Sequence, residues 1–190
     1  MKSALLVIDM QNVFVGENHA AHFKYNNEAL IQTVNEAIDA NEGDVVIYIK
    51  HMMKKNLVNL FAPFQAYEGT EGVELVSDLH VVSDHIFLKY KGNAFTNPKL
   101  NDFLKEHDIE CVKVVGVDGG WCVALTALGA IKEGYHVIVK ETAIGTIYRK
   151  RKEKFFKRLR KADAMFDIDN GRETLYNGEN LERRYGNGSK

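Results

Sequence analysis

The sequence predicts an α/β fold, a single domain with a mostly parallel sheet and helices on both faces. Three observations carry that expectation. Short apolar runs recur along the chain, and the stretches between them carry helical periodicity. The runs read apolar throughout instead of alternating, as parallel strands buried on both faces do. Strand and helix then follow one another at the spacing of crossover connections.

Ala4 to Ile8 is the first strand, followed by a polar loop from Gly16 to Asn26. Ala29, Leu30, Val34, Ala37 and Ile38 recur at helical spacing, and that helix ends near Gly43. Val45 to Ile49 is the second strand, and Ile86 to Leu88 the third. The intervening residues 52–85 are irregular. After Pro98, Leu100, Phe103 and Leu104 mark one helix face. Val112 to Val117 is the fourth strand. A helix from Trp121 to Lys132 is marked by Val123, Leu125, Ala127, Leu128 and Ala130, and Gly134 closes it. His136 to Val139 is the fifth strand. With no repeat and no linker, one domain spans 1–181, and 182–190 read as a frayed tail.

Composition narrows the function classes. Twenty-five basic against 26 acidic residues leave a net charge of −1, which points to neither nucleic acid nor an anionic membrane. No apolar run approaches the roughly 20 residues that span a bilayer. The opening apolar run is too short for a secretory segment. Cys111 and Cys122 are too few for a disulfide framework, so a cytoplasmic setting is expected.

In a parallel sheet the ligand crevice lies beyond the carboxyl ends of the strands. Asp9 ends the first strand, Lys89 follows the third, and Asp118 to Cys122 follow the fourth. A carboxylate closing an apolar strand is costly unless it is paired or functional. Cys122 falls just after Gly119-Gly120-Trp121 at a helix start. The unpaired N–H groups there favour thiolate and can hold an oxyanion, so a lowered thiol pKa is expected. A carboxylate can take the thiol proton and a nearby ammonium can stabilise the thiolate. Taken alone, each residue also reads as ordinary: a small buried cysteine, a turn-forming aspartate, a solvated lysine. Cys111, entering a strand, reads as packing.

The resemblance sharpens this. Leu5-Leu6-Val7-Ile8-Asp9-Met10-Gln11-Asn12-Val13-Phe14 resembles the opening motif of isochorismatase-like hydrolases. Phe87-Leu88-Lys89, with Phe95 six residues beyond the lysine, is similar to the second motif. Gly116-Val117-Asp118-Gly119-Gly120-Trp121-Cys122-Val123 is similar to the third. The likeness runs from about residue 3 to about residue 146. It implies a Rossmann-like three-layer fold, a catalytic set of Asp9, Lys89 and Cys122, and a cis peptide joining Val117 to Asp118. The N–H groups of Asp118 and Cys122 would then form the oxyanion hole. The implied reaction is cleavage of an amide, urea or carbamoyl C–N bond of a small molecule through a cysteine thioester.

Family members commonly carry a small residue and then Thr-Asp where this chain has Asp118-Gly119-Gly120, so a carboxylate beside the hole would act against anionic substrates. Nicotinamidases bring a metal-binding Asp and His set. Here His51-Met52-Met53 follows the second strand and no histidine spacing suggests a metal, so no metal or other cofactor is expected. His19 and His22 read as surface residues. By position, Gln11, Phe14, Phe95 and Trp121 are the substrate-binding candidates. The expected assembly is a homo-oligomer. Arg149 to Lys161 is rich in Lys and Arg, with Phe155, Phe156 and Leu159 on one helix face, and reads as a helix docked on the sheet with solvated charges. Two alternatives stand: a vinyl-ether hydrolase of the isochorismatase type, and a non-catalytic protein binding polyanions through that basic helix.

Overall fold

A computed structural model describes residues 1–169 and 172–174. The strands are β1 (Ser3–Ile8), β2 (Val45–His51), β3 (Ile86–Lys89), β4 (Cys111–Val117), β5 (His136–Gly145), β6 (Met165–Asp169) and β7 (Arg172–Thr174). The helices are α1 (Asn12–Val15), α2 (Asn27–Asp39), α3 (Leu57–Leu60), α4 (Pro98–Glu106), α5 (Cys122–Lys132) and α6 (Arg149–Lys161). One seven-stranded sheet runs in the order β3-β2-β1-β4-β5-β6-β7. The first six strands are parallel, and β7 pairs antiparallel with β6.

β1 lies at the centre, with every residue buried. Its side chains alternate between two cores, as strand geometry requires. Leu6 and Ile8 pack with Val123 and Ala127 of α5, Leu100 of α4 and Phe156 of α6. Leu5 and Val7 pack on the opposite face with Leu30, Val34 and Ile38 of α2. Helices therefore cover both faces of the sheet in three layers.

The order of the strands reverses direction at β1 and β4, the place where a doubly wound sheet opens a crevice. Gly116 brings those two strand ends together. Its φ is +103°, and a Cβ there would stand 2.2 Å from the Ile8 carbonyl oxygen. Only glycine permits that conformation at that distance.

β5 extends six residues past the expected end at Val139, because the charges that interrupt its apolar run are paired. Lys140 donates to Asp167 of β6 at 2.8 Å, and Glu141 accepts Lys152 of α6 at 2.7 Å. β6 and β7 were not expected at all. Met165-Phe166-Asp167-Ile168-Asp169 alternates, unlike the inner strands, and follows a helix outside the motif-bearing stretch. The expected tail at 182–190 and the domain end at 181 lie outside the described residues. Among the described residues no helix is long and apolar enough to cross a membrane.

Candidate active site

Three strand ends supply the site. β1 runs into Asp9, whose φ of +55° turns the chain out of the strand. Aspartate tolerates this left-handed conformation better than most residues. The Asp9 N–H donates to the Ile49 carbonyl at 2.9 Å, which pins the turn to β2. β3 ends on Lys89, in register with His51 at the end of β2. β4 passes through a cis peptide between Val117 and Asp118 to Gly119-Gly120-Trp121 and the start of α5.

Asp9 and Lys89 are almost wholly buried. The Lys89 ammonium donates to Asp9 Oδ2 at 2.8 Å and to Cys122 Sγ at 3.2 Å, with His51 Nδ1 also at 3.2 Å. Those three contacts use all three ammonium hydrogens. Burial works against the Lys89 charge. The Asp9 carboxylate and Cys122 outweigh it and hold the pKa above its ordinary value. His51 is lowered to about 4 by burial first and by Lys89 second, against the pull of Asp9. It is therefore neutral near pH 7. Nδ1 accepts from Lys89, so the proton sits on Nε2.

The expectation of a lowered Cys122 pKa is corrected. Burial first and the Asp9 carboxylate second push the thiol up, and Lys89 only opposes them. Ionising Cys122 while Asp9 is charged would set two anions around one buried cation. The resting thiol therefore keeps its proton beside a carboxylate able to accept it. Asp9 Oδ1 is buried and has no hydrogen-bond partner among the described residues. The backbone N–H groups of Asp118 and Cys122 make no backbone hydrogen bond among the described residues, which leaves both for a ligand.

The Asp118 side chain is tied into the scaffold. Oδ2 accepts from the Ile147 N–H at 2.7 Å and the Tyr25 hydroxyl at 3.3 Å, and Oδ1 accepts from the Gly120 N–H at 2.7 Å. Burial raises its pKa against these donors and Arg151. Glycine at 119 follows from crowding, since a Cβ there would meet Thr146 Oγ1 at 2.5 Å. The departure at 118–120 thus lets the ends of β4, β5 and α6 close on one another.

Above Cys122 lies a cavity of about 320 Å³. Phe14 and Trp121 line it, together with Phe23, Tyr25, Phe64 and Arg151. The other two substrate-binding candidates are elsewhere. Gln11 is fully buried. Its amide donates to the carbonyls of His51 and Val73 at 3.1 and 3.0 Å, and its Oε1 accepts from the His51 N–H at 2.6 Å. It braces the loop after β2. Phe95 packs beside Tyr135, with ring centroids 5.8 Å apart, in the core on the α5 side. The sequence position of a lone aromatic after β3 cannot announce which core it joins.

Sequence reasoning missed His51, Tyr25 and Arg151. His51 ends a strand and was open to the argument that picked out Lys89. Tyr25 lies in a polar loop and Arg151 in a charged helix, and nothing local singles out either. His22, read as a surface residue, is exposed but also lines the cavity mouth. Among the described residues no three His, Cys, Asp or Glu side chains are gathered so as to hold a metal, and the His51 Nδ1 is committed to Lys89. The residues present do not fit a nicotinamidase-type metal centre.

The fold and this strand-end geometry define a doubly wound α/β protein with a cysteine in its crevice. The isochorismatase domain model matches residues 3–167, and the chain belongs to that family. A relative from Arabidopsis thaliana named a "probable inactive nicotinamidase" is 28% identical over 161 residues, covering 76% of this chain and 82% of its own. An isochorismatase-like hydrolase from Alkaliphilus metalliredigens superposes with a TM-score of 0.74 at 27% identity, over 87% of this chain and 94% of its own. The Bacillus subtilis nicotinamidase gives 0.77 at 24%, over 88% and 100%. The N-carbamoylsarcosine amidase from Thermoplasma acidophilum gives 0.74 at 23%, over 90% and 100%. These last two similarities carry the fold alone.

Proposed function

We propose that the protein is a cysteine hydrolase that cleaves the C–N bond of a small amide, urea or carbamoyl compound. One observation carries this reading: the buried Lys89 ammonium is shared between Asp9 at 2.8 Å and Cys122 Sγ at 3.2 Å on the cavity floor. Asp9 takes the thiol proton as Sγ attacks the carbonyl carbon. The oxyanion so formed is held by the Asp118 and Cys122 N–H groups. As the C–N bond breaks, Asp9 passes its proton to the departing nitrogen. Water, deprotonated by Asp9, then attacks the thioester, and the proton returns to sulfur as the acid leaves. Lys89 stays charged throughout and holds whichever neighbour is anionic. His51, fixed as its Nε2–H tautomer, lines the cavity. No step calls for a metal.

The setting proposed is a cytoplasmic homo-oligomer acting on a small molecule. Neither cysteine is in a disulfide among the described residues, and Leu57, Val58 and Phe61 present apolar surface of the kind a second copy covers.

The test is a screen of small amides, ureas and carbamoyl compounds for ammonia release. Rapid acid quench and intact-protein mass spectrometry would accompany it. Release that disappears in Cys122→Ala, with an acyl adduct on Cys122 in the wild type, is expected. Release that persists in Cys122→Ala sinks the mechanism. The name of the Arabidopsis relative favours a second reading, a member of the fold without turnover, and a screen with no release from any compound would select it.

A further inference from the structure

The first turn of α6 carries Arg149, Lys150, Arg151 and Lys152 and no acidic residue. This is the end at which the helix dipole disfavours cations. Lys152 is compensated by Glu141 at 2.7 Å. Arg151 forms no ion pair with a carboxylate among the described residues. Its guanidinium carbon lies 3.6 Å from the centroid of the Trp121 ring, at the mouth of the cavity whose floor holds Cys122. It is the only lysine or arginine among the described residues lining that cavity. The carboxylate of Asp118 also faces the cavity and feels the Arg151 charge, but its hydrogen bonds go to three other donors.

A cation placed at the unfavourable end of a helix costs stability, and departures from local rules concentrate where a protein binds or reacts. A guanidinium held against one aromatic face keeps its edge N–H groups for a planar carboxylate. The walls below it, Phe14, Phe64 and Trp121, are apolar.

We propose that Arg151 is a specificity-determining residue that binds a carboxylate of the substrate. The substrate class is then a small amide or carbamoyl acid whose anionic end sits at the mouth and whose apolar body lies along the aromatic wall. The reaction rests on the cysteine-hydrolase reading. The binding does not, and the experiment separates the two.

The full chain is titrated calorimetrically with benzoate and with benzyl alcohol, a neutral compound of similar shape that cannot be hydrolysed. Trp121 is the only tryptophan in the sequence, so its fluorescence reports where the ligand sits. Benzoate is expected to bind more tightly and to shift that fluorescence. Arg151→Gln should weaken benzoate about ten- to hundredfold, the fold-change of a lost charge-assisted hydrogen bond, while benzyl alcohol changes far less. Arg151→Lys, which keeps the charge but not the fork, should recover part of the loss. If benzoate binds no better than benzyl alcohol, or the glutamine variant weakens both equally or neither, the proposal is wrong. None of these measurements needs turnover, so a failed ammonia screen would leave them decisive.

Discussion

The strongest test of how α6 is held is the removal of Phe156. Its side chain is 2% exposed and sits in the core shared with Leu159 and Val139. The ring centroid lies 5.1 Å from that of Phe166, and the Lys152 ammonium stands 4.9 Å from it. Truncating a fully buried Phe to Ala costs about 3–5 kcal/mol, as lost transfer energy plus the cavity left behind. The upper half applies here, because Phe156 meets both the sheet and the next strand and the Phe166 contact is lost as well. For a chain of this size each kcal/mol moves the melting midpoint by about 2–4 °C, so Phe156→Ala should melt roughly 8–20 °C lower. Phe155 is only half-buried, and its truncation should cost distinctly less. Lys150, Lys154 and Lys157 are exposed, and their joint replacement by glutamine should change stability by less than about 1 kcal/mol. Urea denaturation of the three variants measures all of this. A Phe156→Ala loss below about 1 kcal/mol, or one matched by the glutamine triple variant, would show that α6 is not held by its apolar face.

The catalytic set acts as one unit in the proposed reaction, so Asp9→Asn and Lys89→Ala should each nearly abolish turnover, and the double variant should be scarcely worse than either. Independent, multiplying losses in kcat would refute the shared role. His51 supplies a pH dependence. The unfolded chain takes up a proton near 6.5, and the folded protein refuses it until about 4. The associated stability is complete above pH 6.5 and is lost as pH falls toward 4, about 3 kcal/mol in all. His51→Gln should flatten the slope of stability against pH over that window, and an unchanged slope would contradict the burial of a neutral imidazole. Dialysis against a chelator should leave ammonia release intact. Activity lost to the chelator and restored by one divalent ion would overturn the metal-free reading.

What could be read from the sequence followed from what is local in its physics. The inner strands are unbroken apolar runs, and the rule for strand ends then ranked Asp9, Lys89 and Cys122 before any geometry was known. Gln11 and Phe95 were misplaced because sequence position fixes a backbone but not the direction of a side chain. Gln11 turns inward to satisfy buried carbonyls, and Phe95 turns to the α5 core. Cys122 was misjudged through a missing neighbour. The helix start favours a thiolate, but burial first, and then the Asp9 carboxylate from more than a hundred residues away, reverse the sign. Arg151 was illegible for the same reason. The pairing of Lys152 and Arg160 with Glu141, on the far stretch of β5, shows which charges of the basic run are already spoken for.

The three-way contact of Lys89 has an electrostatic consequence. Moving the proton from Cys122 to Asp9 leaves the buried cluster with the same total charge before and after. One anion is traded for another around a stationary cation, and the negative centre shifts only between neighbours at 2.8 and 3.2 Å from Nζ. Creating an isolated thiolate at that depth would carry the full solvation penalty of a new buried charge. Relocating an existing one carries almost none of it. The surroundings need little rearrangement as the bond to carbon begins to form, and bulk salt has little hold on the step.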